Sequence, residues 1–457
     1  MLTRREALTA AAVGAAALVT EAPAAWAHDH AVPGVRGMDH VGITVPDIAE
    51  ARAWFEDVIG CWTPLKFGPF SDPTGTFMQD LLEVHPRAVI PEINVLRCGT
   101  GSNIELFEYE APDQDTRLAR NSDFSGHHLA FYVEDIDVAV AYMEAKGVRK
   151  FLGPFPVTGG PAAGQSINYF QAPFGTYVEL ISYPDGMAYE KTAKRKLWSA
   201  HDIGAKAIDR GIPGLLGLDH VGITVPDVKQ ARTWLEKNLG GESPLRFGPI
   251  SDPTGTLMQD LVDVDPRAVI EEINVVRVAN GSNIELFQYS APDQDTRFAV
   301  NSSYSGHHIA IYVDCIGPSA DSLGRRRGAR RLLGPLPVTD GPAAGQSINY
   351  FGTPFGTYVE LISYPDGMAY EASADVKLWS PKDVPLQHRH YPRHTTMTLP
   401  PSAQSRSSRS IVCRRSRGRA CRPPGSTSRT SRNSTNPTSR ISKRCAVRSR
   451  KRRRPPA

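Results

Sequence analysis

The 457 residues carry 52 Lys and Arg against 48 Asp and Glu, with 40% hydrophobic and 22% charged residues, a composition of ordinary soluble protein in a chain long enough for two or three domains. The basic excess is local: 18 of the Lys and Arg lie in 401–457, which has no Asp or Glu, so the first 400 residues hold 34 basic and 48 acidic groups. The body is therefore acidic, and a sequence pI of 8.6 gives no ground for nucleic-acid binding by its folded part.

The N-terminus reads as an address. Arg4-Arg5 precede an alanine-rich apolar run, and Ala25-Trp26-Ala27 offers a small-x-small cleavage site. The segment 1–27 resembles a twin-arginine signal peptide. That resemblance implies passage through the Tat export machinery to the periplasm or the outside of the cell. The apolar run from Ala7 to Thr20 is too short to span a bilayer, so no transmembrane segment is expected.

A duplication organises the body. Residues 38–133 and 218–313 align without gaps at an offset of 180, sharing DHVGITVPD, SDPTGT, PRAVI, GSNIELF, APDQDTR and SGHH. GPAAGQSINYF, PFGTYVELISYPDGMAYE and KLWS recur at an offset of 181. Two domains follow, 38–190 and 218–372, joined by a polar linker at 191–213, which makes the chain a pseudo-dimer in one polypeptide.

Each repeat also echoes itself. The strand from His40 to Val45 alternates in β fashion, as does the strand 128–133. After the first, Asp47 is placed to cap a helix whose apolar face is Ile48, Ala51, Phe55, Val58 and Ile59, and Gly60 ends it. Strands are expected at 93–97 and 103–109. The second half repeats the order: strand 128–133, helix 137–146, then strands near 150–153, 166–171 and 176–183. The pattern is βαβββ twice per repeat.

At this point the sequence resembles the vicinal-oxygen-chelate superfamily of glyoxalase I, bleomycin resistance proteins and extradiol dioxygenases. The resemblance implies an α+β fold of tandem domains, each built from two βαβββ modules forming a cupped half-open barrel. It also implies a metal site with one ligand from the first and one from the last strand of each module. Carried onto this sequence, the ligands are His40, Glu105, His128 and Glu179 in the first repeat, and His220, Glu285, His308 and Glu360 in the second. Alternation supports the set independently, because each residue opposes an apolar row: His40 against Val41, Ile43 and Val45, and Glu105 against Ile104 and Leu106. The register favours His128 and His308 over their neighbours His127 and His307. Which modules pair is open: His40 and Glu105 can join His128 and Glu179, or His308 and Glu360.

Two imidazoles and two carboxylates suit a six-coordinate divalent ion (Zn, Ni, Co, Mn or Fe(II)) with two open positions for a small substrate bearing adjacent oxygens. By resemblance to glyoxalase I, the expected activity is a lyase or isomerase working through a metal-stabilised enediolate, with Glu179 and Glu360 as catalytic bases. The alternatives are an Fe(II) extradiol-type dioxygenase, which a fourth ligand disfavours, and a non-catalytic small-molecule binding protein. Arg87, Asn168 and Tyr169 are secondary pocket candidates that packing explains equally well, and SDPTGT reads as a plain turn or, alternatively, as a loop over the cup.

Two stretches break the pattern. Gly317, Pro318 and Gly324 interrupt what is a good helix pattern in the first repeat, and the basic tail 388–457 lacks periodicity and reads as disordered. Both read as out-of-frame translation of GC-rich DNA, the alternative for the tail being a basic arm that binds anionic polymers or the cell envelope. None of the six cysteines sits at a metal-binding spacing, and Cys61, Cys98 and Cys315 do not recur in the other repeat, so a disulfide framework is not expected.

Overall fold

The computed structural model describes residues 31–385. The signal-peptide and basic-tail expectations, 1–27 and 388–457, lie outside the described residues. Among the described residues no helix is long and apolar enough to cross a membrane.

The first module consists of β1 (Val35–Thr44), α1 (Ile48–Trp54), β2 (Trp62–Phe67), α2 (Phe77–Leu82), β3 (Ile93–Arg97) and β4 (Asn103–Phe107). The second has β5 (His127–Val133), α3 (Ile136–Ala145), β6 (Ser166–Gln171) and β7 (Tyr177–Ser182). The third repeats the first with β8 (Leu215–Thr224), α4 (Val228–Leu239), β9 (Glu242–Phe247), α5 (Leu257–Val262), β10 (Val269–Arg277) and β11 (Asn283–Ser290). The fourth repeats the second with β12 (His307–Val313), α6 (Ile316–Gly324), β13 (Ser347–Gly352) and β14 (Tyr358–Ser363).

The modules pair across the repeats. One sheet runs β13-β14-β12-β1-β4-β3-β2, joining the fourth module to the first, and the other runs β9-β10-β11-β8-β5-β7-β6, joining the third to the second. The repeat is thus the unit of sequence, whereas each α+β cup takes half of one repeat and half of the other. The seam is an antiparallel pair, β1 with β12 in one cup and β8 with β5 in the other.

Alternation along β1 explains the layering. Val41 and Ile43 join the apolar cluster under the helices with Ile48, Ala51 and Phe55 of the following helical segment. His40 and Gly42 take the opposite, cup-facing side. Asp47 caps α1 as expected, its Oδ1 accepting from the Glu50 amide at 2.8 Å. The helix then widens into a π-helical turn over Phe55–Ile59, where the amides of Gly60 and Cys61 both reach the Phe55 carbonyl at 3.0 Å. Gly60, at φ 97°, ends it in the left-handed region.

Two repeated motifs prove architectural. In APDQDTR, Gln114 Nε2 donates to the Ser302 carbonyl at 2.7 Å and Gln294 Nε2 to that of Ser122 at 2.5 Å, while Arg117 pairs with Asp295 at 2.8 Å, so each repeat clasps the other. In SDPTGT, the Asp72 carboxylate accepts from the amides of Thr74, Gly75 and Phe77, and Arg87 donates to the carbonyls of Asp72 and Gly75. Arg87 therefore frames this loop. Behind it, α2 puts Met78, Leu81 and Leu82 into one buried cluster with Tyr350 and Tyr358 of the fourth module, which covers the cup.

Two expectations need correction. Cys61 and Cys98 form a disulfide. They flank the antiparallel pair Trp62↔Arg97 at the ends of β2 and β3, so strand pairing brings them together without any sequence spacing that announces it. The Gly/Pro-interrupted stretch also forms a helix, α6. Pro318 falls in its first turn, where an amide has no intrahelical partner to lose.

Candidate metal centres

Two adjacent register rows build each site. In the first cup, Glu105, Gly42 and His308 lie side by side across β4, β1 and β12. The neighbouring row runs His40, Ala310, Glu360 and Tyr350 across β1, β12, β14 and β13. Each row sets a small residue at the seam. A Cβ on Gly42 would stand 1.9 Å from His308 Cε1, and one on Gly222 would stand 1.9 Å from His128 Cε1. The glycine is the space into which the imidazole of the other repeat is packed.

The eight residues singled out from the sequence gather into two buried clusters, His40, Glu105, His308 and Glu360 in one, and His128, Glu179, His220 and Glu285 in the other. Of the two pairings left open by the sequence, the structure has the one across repeats. His40 Nε2 lies 3.1 Å from Glu105 Oε2 and 3.3 Å from Glu360 Oε2, and His308 Nε2 lies 3.4 and 3.3 Å from the same oxygens. The two Nε2 atoms are 3.3 Å apart. The second cluster repeats these spacings at 3.1–3.4 Å, again with 3.4 Å between its imidazoles.

These spacings fit a cation. Donors at right angles around an ion with bonds of about 2.1–2.2 Å are separated by about 3.0–3.1 Å. Oε2 of Glu179 and of Glu360 is moreover buried without a hydrogen-bond partner, so its approaches to the imidazoles are close contacts of unaligned groups. A buried, unsatisfied carboxylate oxygen is costly unless something neutralises it.

Electrostatics agree. Burial alone would raise Glu105 and Glu179, but the facing imidazoles outweigh it and hold both at about 2. Burial opposes charge on His40 and His220 too, yet the carboxylates hold them well above the usual imidazole value. Without an ion, the cluster neutralises its carboxylates with protons on the histidines.

His127 and His307 lie outside both clusters. Their rings meet each other with centroids 5.0 Å apart, linking the two sheets, and burial lowers them to about 4 and about 3. Asn168 is buried, with Nδ2 donating to the Tyr169 carbonyl. Tyr169 does reach the site, its hydroxyl 3.3 Å from His128 Nε2, and Tyr350 stands likewise by His308. Burial raises both phenols well above their usual value, so they stay protonated. Sequence reasoning missed Gly42, Gly222 and Tyr350. The available signals were the glycine two places after His40 and His220, and, for Tyr350, its place as the repeat counterpart of Tyr169.

A family model described as the glyoxalase/bleomycin resistance protein/dioxygenase superfamily matches residues 39–169. A 2-epi-5-epi-valiolone epimerase from Actinomyces sp is 39% identical over 180 residues, covering 39% of this chain and 97% of the relative. The relative is therefore about one repeat long. Among solved structures, glyoxalase I from Zea mays aligns at 18% identity with a TM-score of 0.43, covering 72% of this chain and 93% of that one. A fosfomycin resistance protein from Listeria monocytogenes, complexed with Mn(II) and sulfate, aligns at 16% identity with a TM-score of 0.21, covering 32% of this chain and 91% of that one. With a relative matched over nearly its whole length, the chain belongs to the glyoxalase/bleomycin resistance protein/dioxygenase superfamily.

Proposed function

We propose that the chain is a divalent-metal-dependent epimerase of a small polyhydroxylated ketone of the 2-epi-5-epi-valiolone type, with one active site in each cup. The observation that carries this reading is the pair of buried two-histidine, two-carboxylate clusters, each with a buried carboxylate oxygen that makes no aligned hydrogen bond. The full-length similarity of one repeat to an epimerase supplies the substrate class. His40, Glu105, His308 and Glu360 would hold one ion, and His128, Glu179, His220 and Glu285 the other. A bound divalent cation stabilises negative charge developing on a carbonyl oxygen, which acidifies the neighbouring carbon.

The chain's own groups supply the rest. Glu360 and Glu179, on the last strand of their modules, are assigned as the bases that take the proton from that carbon. Both carboxyls are lowered, hence ionised and able to accept one. Inverting a carbon centre needs a proton delivered to the opposite face; Glu105 and Glu285, on separate strands and ionised at rest, would take that proton from solvent before delivering it, while Glu360 and Glu179 release theirs to solvent between turnovers. The protonated hydroxyls of Tyr350 and Tyr169 lie beside the donors and are placed to hydrogen-bond a substrate oxygen. Apolar and aromatic side chains, among them Met78, Leu81 and Tyr358, pack beside the first site and would limit water around it.

The test is elemental analysis of the purified protein beside the His40→Ala/His220→Ala double variant, followed by proton exchange of 2-epi-5-epi-valiolone in deuterated water. About two equivalents of Ni, Zn, Co or Mn, lost in the variant, with deuterium entering next to the carbonyl, is the expected result. No metal after reconstitution overturns the four-donor assignment. Metal without exchange overturns the substrate.

A further inference from the structure

Three repeated motifs remain without a role in the chemistry: the aspartate that opens DHVGITV, the tyrosine of SYPDG and the KLWS segment. They converge on one atom of each site. In the first cup, the Asp39 carboxylate is buried and meets His40 Nδ1 through Oδ1 at 2.9 Å. Its other oxygen accepts from the Tyr364 hydroxyl of the fourth module. Tyr364 lies 2.9 Å from Ser380 Oγ in KLWS. That segment is fastened in turn by Asn103, whose Oδ1 accepts from the Trp379 amide at 3.0 Å and whose Nδ2 donates to its carbonyl at 2.8 Å. In the second cup, Asp219 meets His220 Nδ1 at 2.8 Å, Tyr183 donates to Asp219 at 2.5 Å and lies 3.0 Å from Ser199, and Asn283 grips Trp198 in the same two-bonded way.

A carboxylate has no proton to give, so the Nδ1 facing it must carry one. A neutral imidazole has a single N–H, and fixing it on Nδ1 leaves the Nε2 lone pair pointing into the cluster. We propose that Asp39 with Tyr364, and Asp219 with Tyr183, are positioning residues that commit His40 and His220 to bind an ion through Nε2, with KLWS as the strap that holds the tyrosine in place. The two histidines of a site are then held by different means. His40 is fixed by a hydrogen-bonded carboxylate from its own strand, and His308 by the empty space above Gly42. Because Tyr364 and Ser380 belong to the second repeat and Asp39 to the first, each site needs both repeats for its support as well as for its ligands.

The proposal rests on the metal reading above, and the experiment separates the two. Full-length protein is titrated with Co(II), whose absorption reports coordination, alongside Asp39→Asn, Asp219→Asn, the double variant and Tyr364→Phe. The wild type should take up two equivalents. Asp39→Asn should weaken one equivalent by about 10–100-fold and leave the other at wild-type affinity, Asp219→Asn should do the same to the other, and the double variant should weaken both. Tyr364→Phe, which keeps the carboxylate and removes one of its donors, should weaken the same equivalent as Asp39→Asn by a smaller factor. It also stands as the informative variant should Asp39→Asn fail to fold. Two unchanged equivalents in Asp39→Asn and Tyr364→Phe would overturn the positioning role while leaving the metal reading intact. A loss shared equally by both equivalents would overturn it as well, since that is the mark of a general structural defect. No uptake by the wild type would overturn the metal reading and the proposal with it.

Discussion

The two cups have nearly the same interior and different surroundings. Their donor clusters agree in spacing to within a few tenths of an ångström, and both seat an imidazole over a glycine. At the rim, the cup joining the first and fourth modules has the Cys61–Cys98 disulfide, where the other has Gly241 and Val278. Its helix α6 lacks the side-chain cap that Asp135 gives α3. The site is set by strand register at the seam, which both cups share; the helices and edge strands differ and set how firmly each cup is held. A change at the seam should therefore remove one site and spare the other, whereas a change at the rim should alter stability and spare both.

The largest effect is expected at Gly42. Gly42→Val places carbon where the His308 ring now sits, and because the paired strands hold the backbone, the ring must leave the cluster. Metal content should fall from two equivalents to one, with His128, Glu179, His220 and Glu285 still loaded. Elemental analysis measures it directly, and a retained second equivalent in this variant would mean that the seam does not govern the site.

A pH titration sharpens the comparison. His40 and His308 are raised above the usual imidazole value, as are His220 and His128. Below those raised values they hold protons that an ion must displace. Affinity should then rise with pH up to the raised imidazole values and level off above them, by about tenfold per pH unit for each proton released. The ionised carboxylates contribute no slope in that range. Calorimetry in buffers of different protonation enthalpy counts the protons. The two equivalents should titrate together, and a split between them would show that the rims reach the sites.

What the sequence made legible follows the same division. The βαβββ pattern and the capped helix after Asp47 could be read from alternation and repetition, and the eight cluster residues from the family resemblance with alternation in support, because a strand of period two must send His40 and Gly42 to one face and Val41 and Ile43 to the other. The pairing of modules could not, since near-identical copies present equivalent edges and only the closed structure distinguishes them. The disulfide was hidden for a related reason: Cys61 and Cys98 become neighbours through the pairing of β2 with β3, a contact that no local pattern encodes. The helix α6 was obscured because Gly317 and Pro318 count against a helix interior, yet they fall in its first turn. Burial at Ser319, Ala320 and Leu323 preserves the positions of Ala139, Val140 and Met143.

At the rim, Cys61→Ala/Cys98→Ala opens a link between residues 37 apart in sequence. Removing it should cost about 2–4 kcal/mol of stability in the cup that contains it. Thermal unfolding should shift down while Co(II) stoichiometry and affinity remain those of the wild type. A fall in the affinity of one equivalent alongside the stability would show that β2 and β3 help to hold Glu105 in place, and that the rim is not separable from the site.

The smallest effect is expected at the cap of α6. Asp135 caps α3 by accepting from the amides of Asp137 and Val138 at 3.1 Å. Its counterpart Cys315 makes no such side-chain bond, and the place of Val138 is taken by Pro318, which has no amide hydrogen. Cys315→Asp can therefore recover only the bond to Gly317 and should stabilise the protein by less than the roughly 1 kcal/mol of a full cap. Adding Pro318→Val restores the second donor and should bring the gain to about 1 kcal/mol, read as a shift in the denaturant midpoint. An equal gain from Cys315→Asp alone would mean that the added carboxylate acts through the helix dipole, which needs no particular donor, and not through a capping hydrogen bond.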